Sequence, residues 1–150
     1  MRYLDSKHIF HKDIKAENVM FGEDFRPLLI DFGLAADTYQ LCSNFAGTAR
    51  YTSPEVVKQR GYTSKSEIYS LGVLFLFMLT GKYPYNIAKI TESNYRLLFE
   101  KNFKQFWLNF EKTTKVRLSA SFKDLFVKMI DHIPENRPSL DNILEFQWFK

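Results

Sequence analysis

The apolar positions of this 150-residue chain change their spacing several times, and each change marks an element. Residues 1–8 read as the tail of a helix. Two short apolar runs, Val19-Met20-Phe21 and Leu28-Leu29-Ile30, flank Gly22-Glu23-Asp24-Phe25-Arg26-Pro27, which predicts a hairpin of buried strands. From Lys65 to Leu79 the pattern is strongly helical. Gly81 stands just past its end as a stop signal, and Pro84 bars continuation. The apolar run Leu71–Leu79 inside it reads as a helix buried on most sides. Thr91–Glu100 predicts a second helix and Phe103–Glu111 a third. In the third, Phe103, Phe106, Trp107 and Phe110 fall at i, i+3, i+4 and i+7, one core-facing stripe. Ser121–Ile130 predicts a helix capped by Ser121 with Asp124 at N3. Ser139–Phe146, after Pro138, predicts a short terminal helix. Between Asp31 and Glu55 no period persists, and Gly33, Thr38, Ser43, Asn44, Gly47 and Thr48 punctuate the stretch. An irregular segment of that length inside a compact domain is usually functional.

The expected class is therefore mainly α, a helical bundle with one small β-hairpin and a long loop. A chain of this length suits a single domain with a real core. Fifteen Phe and eight Tyr make it rich in aromatics. The net charge of +4 is scattered, with no Lys/Arg stripe, so nucleic-acid binding is not expected. The single cysteine, Cys42, allows no internal disulfide framework; it reads as a small loop hydrophobe in a reducing compartment. Met1-Arg2-Tyr3 runs into Asp5, Lys7 and His8 with no apolar leader, and Leu71–Leu79 is too short for a bilayer span. An intracellular, cytoplasmic protein without a membrane partner is the expectation.

The chemistry sits in His11-Lys12-Asp13-Ile14-Lys15-Ala16-Glu17-Asn18 and, thirteen positions after Asn18, in Asp31-Phe32-Gly33. Asp13 can accept a proton from a substrate hydroxyl. Asn18 and Asp31 can offer oxygens to Mg²⁺, a hard cation that takes few protein ligands beside phosphates. Alone, a His-x-Asp triplet usually marks a loop and Asp-Phe-Gly a turn. Their order, with a predicted hairpin between them, makes the pair specific.

These residues resemble the catalytic-loop and Asp-Phe-Gly motifs of eukaryotic protein kinases. The whole chain, 1–150, resembles the C-terminal lobe of that domain, with the N-terminal lobe absent. The resemblance implies ATP and Mg²⁺ as cofactors and a protein substrate. It makes Asp13 the catalytic base and Lys15 a contact to the γ-phosphate. Asn18 and Asp31 become the metal ligands, Glu17 a neighbour of the substrate channel and Met20 the floor of the adenine pocket. His11 and Phe32 match the regulatory hydrophobic column. Gly47-Thr48 with Tyr51 matches the substrate-positioning segment, in which Thr48 would bond Asp13 and Lys15. Glu55, in Ser53-Pro54-Glu55, would pair with Arg137. Lys15 resembles the serine/threonine branch. Lys15–Asn18 and Gly61–Ser66 resemble calcium/calmodulin-dependent and AMP-activated types, whereas Gly47–Tyr51 resembles the casein-kinase type.

Four departures stand out. Lys12 replaces the usual Arg and cannot grip a loop phosphate bidentately. Asn44 stands where many relatives carry a phosphorylatable Thr, leaving Ser43 as the candidate phosphosite. Activity is thus expected to depend weakly on loop phosphorylation. Glu67 replaces the helical Asp that receives catalytic-loop N–H groups. Tyr69 replaces a Trp.

None of the six glycines forms Gly-x-Gly-x-x-Gly, and Ile87-Ala88-Lys89 lies on the wrong side of the catalytic loop to be the ATP-binding lysine motif. Two function classes follow: a serine/threonine kinase domain, or a lone C-terminal lobe that binds partners without chemistry. The 150 residues alone are expected to be inactive. The cleft face formed by Val19–Phe21 and Phe32 is expected to self-associate unless a second lobe or a partner covers it.

Overall fold

The long apolar helix forms over Ser64–Thr80 (α3) in a computed structural model of the chain, which describes residues 1–37 and 47–150. Cys42, Ser43 and Asn44 lie outside the described residues. Thr63 caps α3 in a reciprocal box, its side chain receiving the Ser66 N–H while Ser66 Oγ receives the Thr63 N–H at 3.2 Å. Gly81 ends the helix in the left-handed region at φ 65°, its N–H on the Phe77 carbonyl. The middle of α3 is buried all round, but Met78 and Leu79 in its last turn are exposed, because the helix runs out of the body there.

Helix α3 packs against Ala120–Met129 (α6). A Cβ on Gly72 would stand 2.9 Å from Met129 Cβ and 3.1 Å from Ile130 Cγ2, so only glycine lets the two backbones meet. The cap of α6 is Ser119, whose Oγ accepts the Phe122 N–H at 3.1 Å. Ser121 is not the cap but the second helical residue, and Asp124 pairs with Lys128 instead. Starting the helix earlier turns Phe122, Leu125, Phe126 and Met129 inward together.

The remaining helices are Arg2–Ser6 (α1), Pro54–Val57 (α2), Ser93–Phe99 (α4), Phe103–Thr114 (α5) and Leu140–Leu144 (α7). Helix α4 starts later than the pattern suggested because residues up to Glu92 form turns. Asn102 caps α5, accepting from Gln105 N at 3.3 Å. The predicted stripe faces the core, with Phe106 stacked on Phe126 at 6.2 Å. Ser139 caps α7, and a 3-10 turn, Gln147–Phe149, follows it and sets Trp148 against Phe122.

Two small antiparallel pairs ride on this body. Ile9–Phe10 (β1) pairs with Ala36–Asp37 (β4), a ladder too short to leave a period in the sequence. Val19–Phe21 (β2) pairs with Pro27–Leu29 (β3) in the register Val19↔Leu29. The hairpin was expected to be buried and is not: Met20 is 54% exposed and Phe21 63%. A two-stranded ribbon covers only its inner side, and no described element lies over the outer one.

Candidate active site

The loop after β1 builds the site because its backbone is turned at fixed points. Lys12 sits at φ 68° and Asp31 at φ 61°, both left-handed. Glu67 on α3 accepts the Lys12 N–H at 2.8 Å through Oε1, and the same oxygen takes the Tyr62 hydroxyl at 2.7 Å. The longer Glu side chain is therefore accommodated at this position. His11, fully buried, receives the Asp13 N–H on Nδ1 at 3.3 Å and places Nε2 2.9 Å from the Ile30 carbonyl. These partners assign Nε2–H as the donor. Phe32 meets the His11 ring edge-on at 4.8 Å.

Asp13 receives donors on both oxygens. Thr48 gives its N–H at 3.1 Å and its hydroxyl at 3.0 Å to Oδ1. Lys15 Nζ and Asn18 Nδ2 reach Oδ2, at 2.5 and 3.2 Å, and Asn18 Nδ2 also bonds the Asp13 carbonyl at 2.8 Å. Burial works to raise the Asp13 carboxyl, but the bonds from Lys15, Thr48 and Asn18 outweigh it and hold the group below its ordinary range. The same bond raises the Lys15 ammonium. Thr48 contacts Asp13 and not Lys15.

Gly47 makes this arrangement possible. It sits at φ 98°, and a Cβ there would come within 2.6 Å of the Lys12 carbonyl oxygen. Gly47→Ala is expected to lose about 1–3 kcal/mol of stability through strain. Urea unfolding measures it, and an unchanged midpoint would mean that the segment relaxes freely.

Asp31 is positioned by the hairpin. The Ile30 N–H donates to the Asn18 carbonyl at 2.9 Å, continuing the β2–β3 ladder and bringing residue 31 back to the loop. Asp31 Oδ1 accepts the Gly33 N–H at 3.1 Å. Asn18 spends its amide nitrogen on Asp13, which leaves the hard Oδ1 as its donor. That oxygen and the Asp31 carboxylate suit Mg²⁺, which binds through few protein oxygens. Among the described residues no cluster of three or more His, Cys, Asp or Glu side chains is placed to hold a metal ion. Glu17 lies exposed in the 3-10 turn Ala16–Asn18, and Met20 on the exposed hairpin face.

A second assembly ties distant loops together. Arg137, 1% exposed, gives NH1 and NH2 to the two Glu55 oxygens at 2.7 and 2.8 Å. Its Nε donates to the Asp131 carbonyl and its NH1 to the Lys65 carbonyl, each at 2.8 Å. Burial pushes the Glu55 carboxyl up, but Arg137 outweighs it and holds the group low. Ser66 adds a bond to Glu55 at 2.8 Å.

A comparison with protein-family models matches residues 1–149 to the protein kinase domain. This chain belongs to the protein kinase family. Relatives include the serine/threonine-protein kinase PLK2 of Mus musculus, 33% identical over 99% of this chain and 21% of its own length. The CBL-interacting protein kinase 12 of Oryza sativa is 31% identical over 99% of the chain and 27% of its own length. The Aurora kinase of Dictyostelium discoideum is 30% identical over the whole chain and 37% of its own length. The chain thus spans about a fifth to two fifths of the length of these relatives.

Within the kinase frame, the departures have visible partners. Lys12 extends over the Tyr62 ring at 5.9 Å. Tyr69, fully buried, puts its hydroxyl on the Tyr85 hydroxyl and its ring under Arg137 at 4.9 Å. Sequence reasoning missed Tyr62 and Tyr83 as supports of the loop. Tyr83 touches the Tyr51 hydroxyl at 3.3 Å from 32 positions away, a spacing that carries no local signal. Ser66 was within reach, since Thr63-x-x-Ser66 is a weak capping box. No described helix is long and apolar enough to cross a membrane.

Proposed function

We propose that the chain is the C-terminal lobe of a serine/threonine protein kinase and carries the base, the metal ligands and the substrate-positioning segment of that enzyme. The observation that supports it is the Asp13 carboxylate held by Thr48 on one oxygen and by Lys15 and Asn18 on the other. Thr48 aims the carboxylate at the acceptor hydroxyl, so that Asp13 takes its proton as the phosphoryl group is attacked. In the resting arrangement Lys15 suppresses the basicity of Asp13. When Lys15 turns to the γ-phosphate of ATP, Asp13 loses that bond and becomes the stronger base.

Asn18 and Asp31 would hold Mg²⁺, which neutralises charge on the phosphates. Glu17 borders the peptide's path and Met20 faces the adenine. The protein substrate is met inside the cell, in keeping with a single, unpaired-by-sequence cysteine.

The test joins the chain to a glycine-rich nucleotide lobe and supplies labelled ATP, Mg²⁺ and a mixed protein substrate. Phosphoserine and phosphothreonine are the expected products, with an Asp13→Asn twin as the blank. Phosphotyrosine as the main product, or no transfer above the twin, would overturn the reading.

A further inference from the structure

Helix α5 presents a face that the chemistry above does not use. Along the sequence positive charge is scattered, but residues 101–128 hold seven Lys and Arg against two carboxylates, a surplus larger than the net +4 of the whole chain. The fold gathers part of it. Lys104, Leu108, Lys112 and Lys115 fall at i, i+4, i+8 and i+11 of α5 and its C-terminal cap, within about a quarter turn of one another along about 16 Å. All four are exposed, Leu108 to 62%, while Phe106, Trp107 and Phe110 take the opposite, buried side. Arg117, also exposed, follows the line.

The charges of this face are unanswered. Among the described residues Lys104, Lys112, Lys115 and Arg117 have no carboxylate within ion-pair distance. The one carboxylate of α5, Glu111, is taken by Lys123 at 2.7 Å and by the Leu118 N–H at 2.8 Å. Lys112 and Lys115 suit the C-terminal end of the helix dipole. Lys104 does not, because it stands in the first turn, where a cation costs stability.

We propose that this face is a peripheral docking surface for an anionic lipid layer, with the cations over the headgroups and Leu108 among them. Three features choose that occupant. The face is the outer side of a helix, so it is convex and meets a flat partner along a line. Its helical cations are lysines, point charges that suit a diffuse anionic layer better than a two-pronged grip on one phosphate. The exposed leucine at the centre of the stripe adds an apolar contact that a sugar–phosphate backbone would leave unused. Such a contact needs neither a leader nor a bilayer-spanning run, and it is independent of the kinase reading.

The test sediments the whole chain with vesicles of one part phosphatidylserine to two parts phosphatidylcholine, and with vesicles of phosphatidylcholine alone. Binding is expected to the anionic vesicles only, and to fall steeply as salt screens the charges. Each cation near such a surface is worth about fivefold in binding, so Lys112→Gln with Lys115→Gln should weaken it about twenty-five-fold. Lys112→Arg with Lys115→Arg keeps the charge and should bind as the parent does. Leu108→Gln should weaken binding about tenfold. These side chains are exposed, so thermal melts should not move, and the paired Arg variant separates charge from folding. Equal binding to the neutral vesicles would put the contact on the exposed apolar hairpin and overturn the proposal. So would binding to neither vesicle, or anionic binding that survives the paired Gln substitutions. Release from the vesicles by duplex DNA at equal phosphate concentration would give the face to nucleic acid instead.

Discussion

Asp31→Asn, in the chain completed with a glycine-rich lobe, should lose about a hundredfold or more of its phosphotransfer rate. The metal supplies several kcal/mol of charge stabilisation to the reacting phosphates, and each 1.4 kcal/mol is about a factor of ten. Asparagine is the informative replacement. It keeps an oxygen for the Gly33 N–H at 3.1 Å and tolerates the left-handed backbone at φ 61°, so only the charge is lost. Asp31 is exposed and makes no ion pair among the described residues, so stability should change by under about 0.5 kcal/mol. The measurement is initial rate against Mg²⁺ concentration with a parallel melt. A variant that keeps a tenth of the rate at ordinary Mg²⁺ would remove Asp31 from the metal site.

Arg137→Ala should cost about 3–5 kcal/mol of stability, because Glu55 is left as a buried charge without its partner. The Glu55 side chain is only 12% exposed, and the Asp131 and Lys65 carbonyls lose donors at the same time. Glu55→Gln is milder, since Ser66 and Arg137 can still bond the amide oxygen. Acid gives an independent check. The folded carboxyl of Glu55 is held below its ordinary value of about 4.3, so the pair stabilises the fold above that pH. The contribution fades as pH falls through the lower folded value. The parent chain should therefore lose stability over that acid range more steeply than Arg137→Ala does. Parallel acid slopes, or a double-mutant cycle with no coupling, would reduce the pair to a passive contact.

The helices were legible because their packing leaves a period: the Phe103–Phe110 stripe and the apolar α3 turn out to be core. Their ends were less so. Ser119 and Ser121 are equally good caps by type, and only the need to aim Phe122 and Phe126 inward chooses between them. The exposure of the hairpin was misread, because an apolar run says what a strand prefers and not whether a layer exists to cover it. The residues of the site were named by motif, but their supports were not. Tyr62, Tyr83 and Asp131 act through a hydroxyl or a carbonyl brought in from another part of the chain, and no local spacing encodes that.

The ribbon of β2 and β3 is held to the body on one side only. Val19 packs against the core and Ile30 gives its carbonyl to His11, while Met20, Phe21 and Leu28 stand in solvent. The carboxylate proposed for the metal is the residue after Ile30. Segments with so little apolar anchoring open locally, at a free energy far below that of global unfolding. Amides of the ribbon should then exchange with deuterium long before those in the middle of α3. Mg²⁺ and nucleotide, if they select the ribbon's docked form, must hold it there. Part of their intrinsic affinity is spent on that ordering, and the slowed exchange of residues 19–30 on binding would be its direct trace.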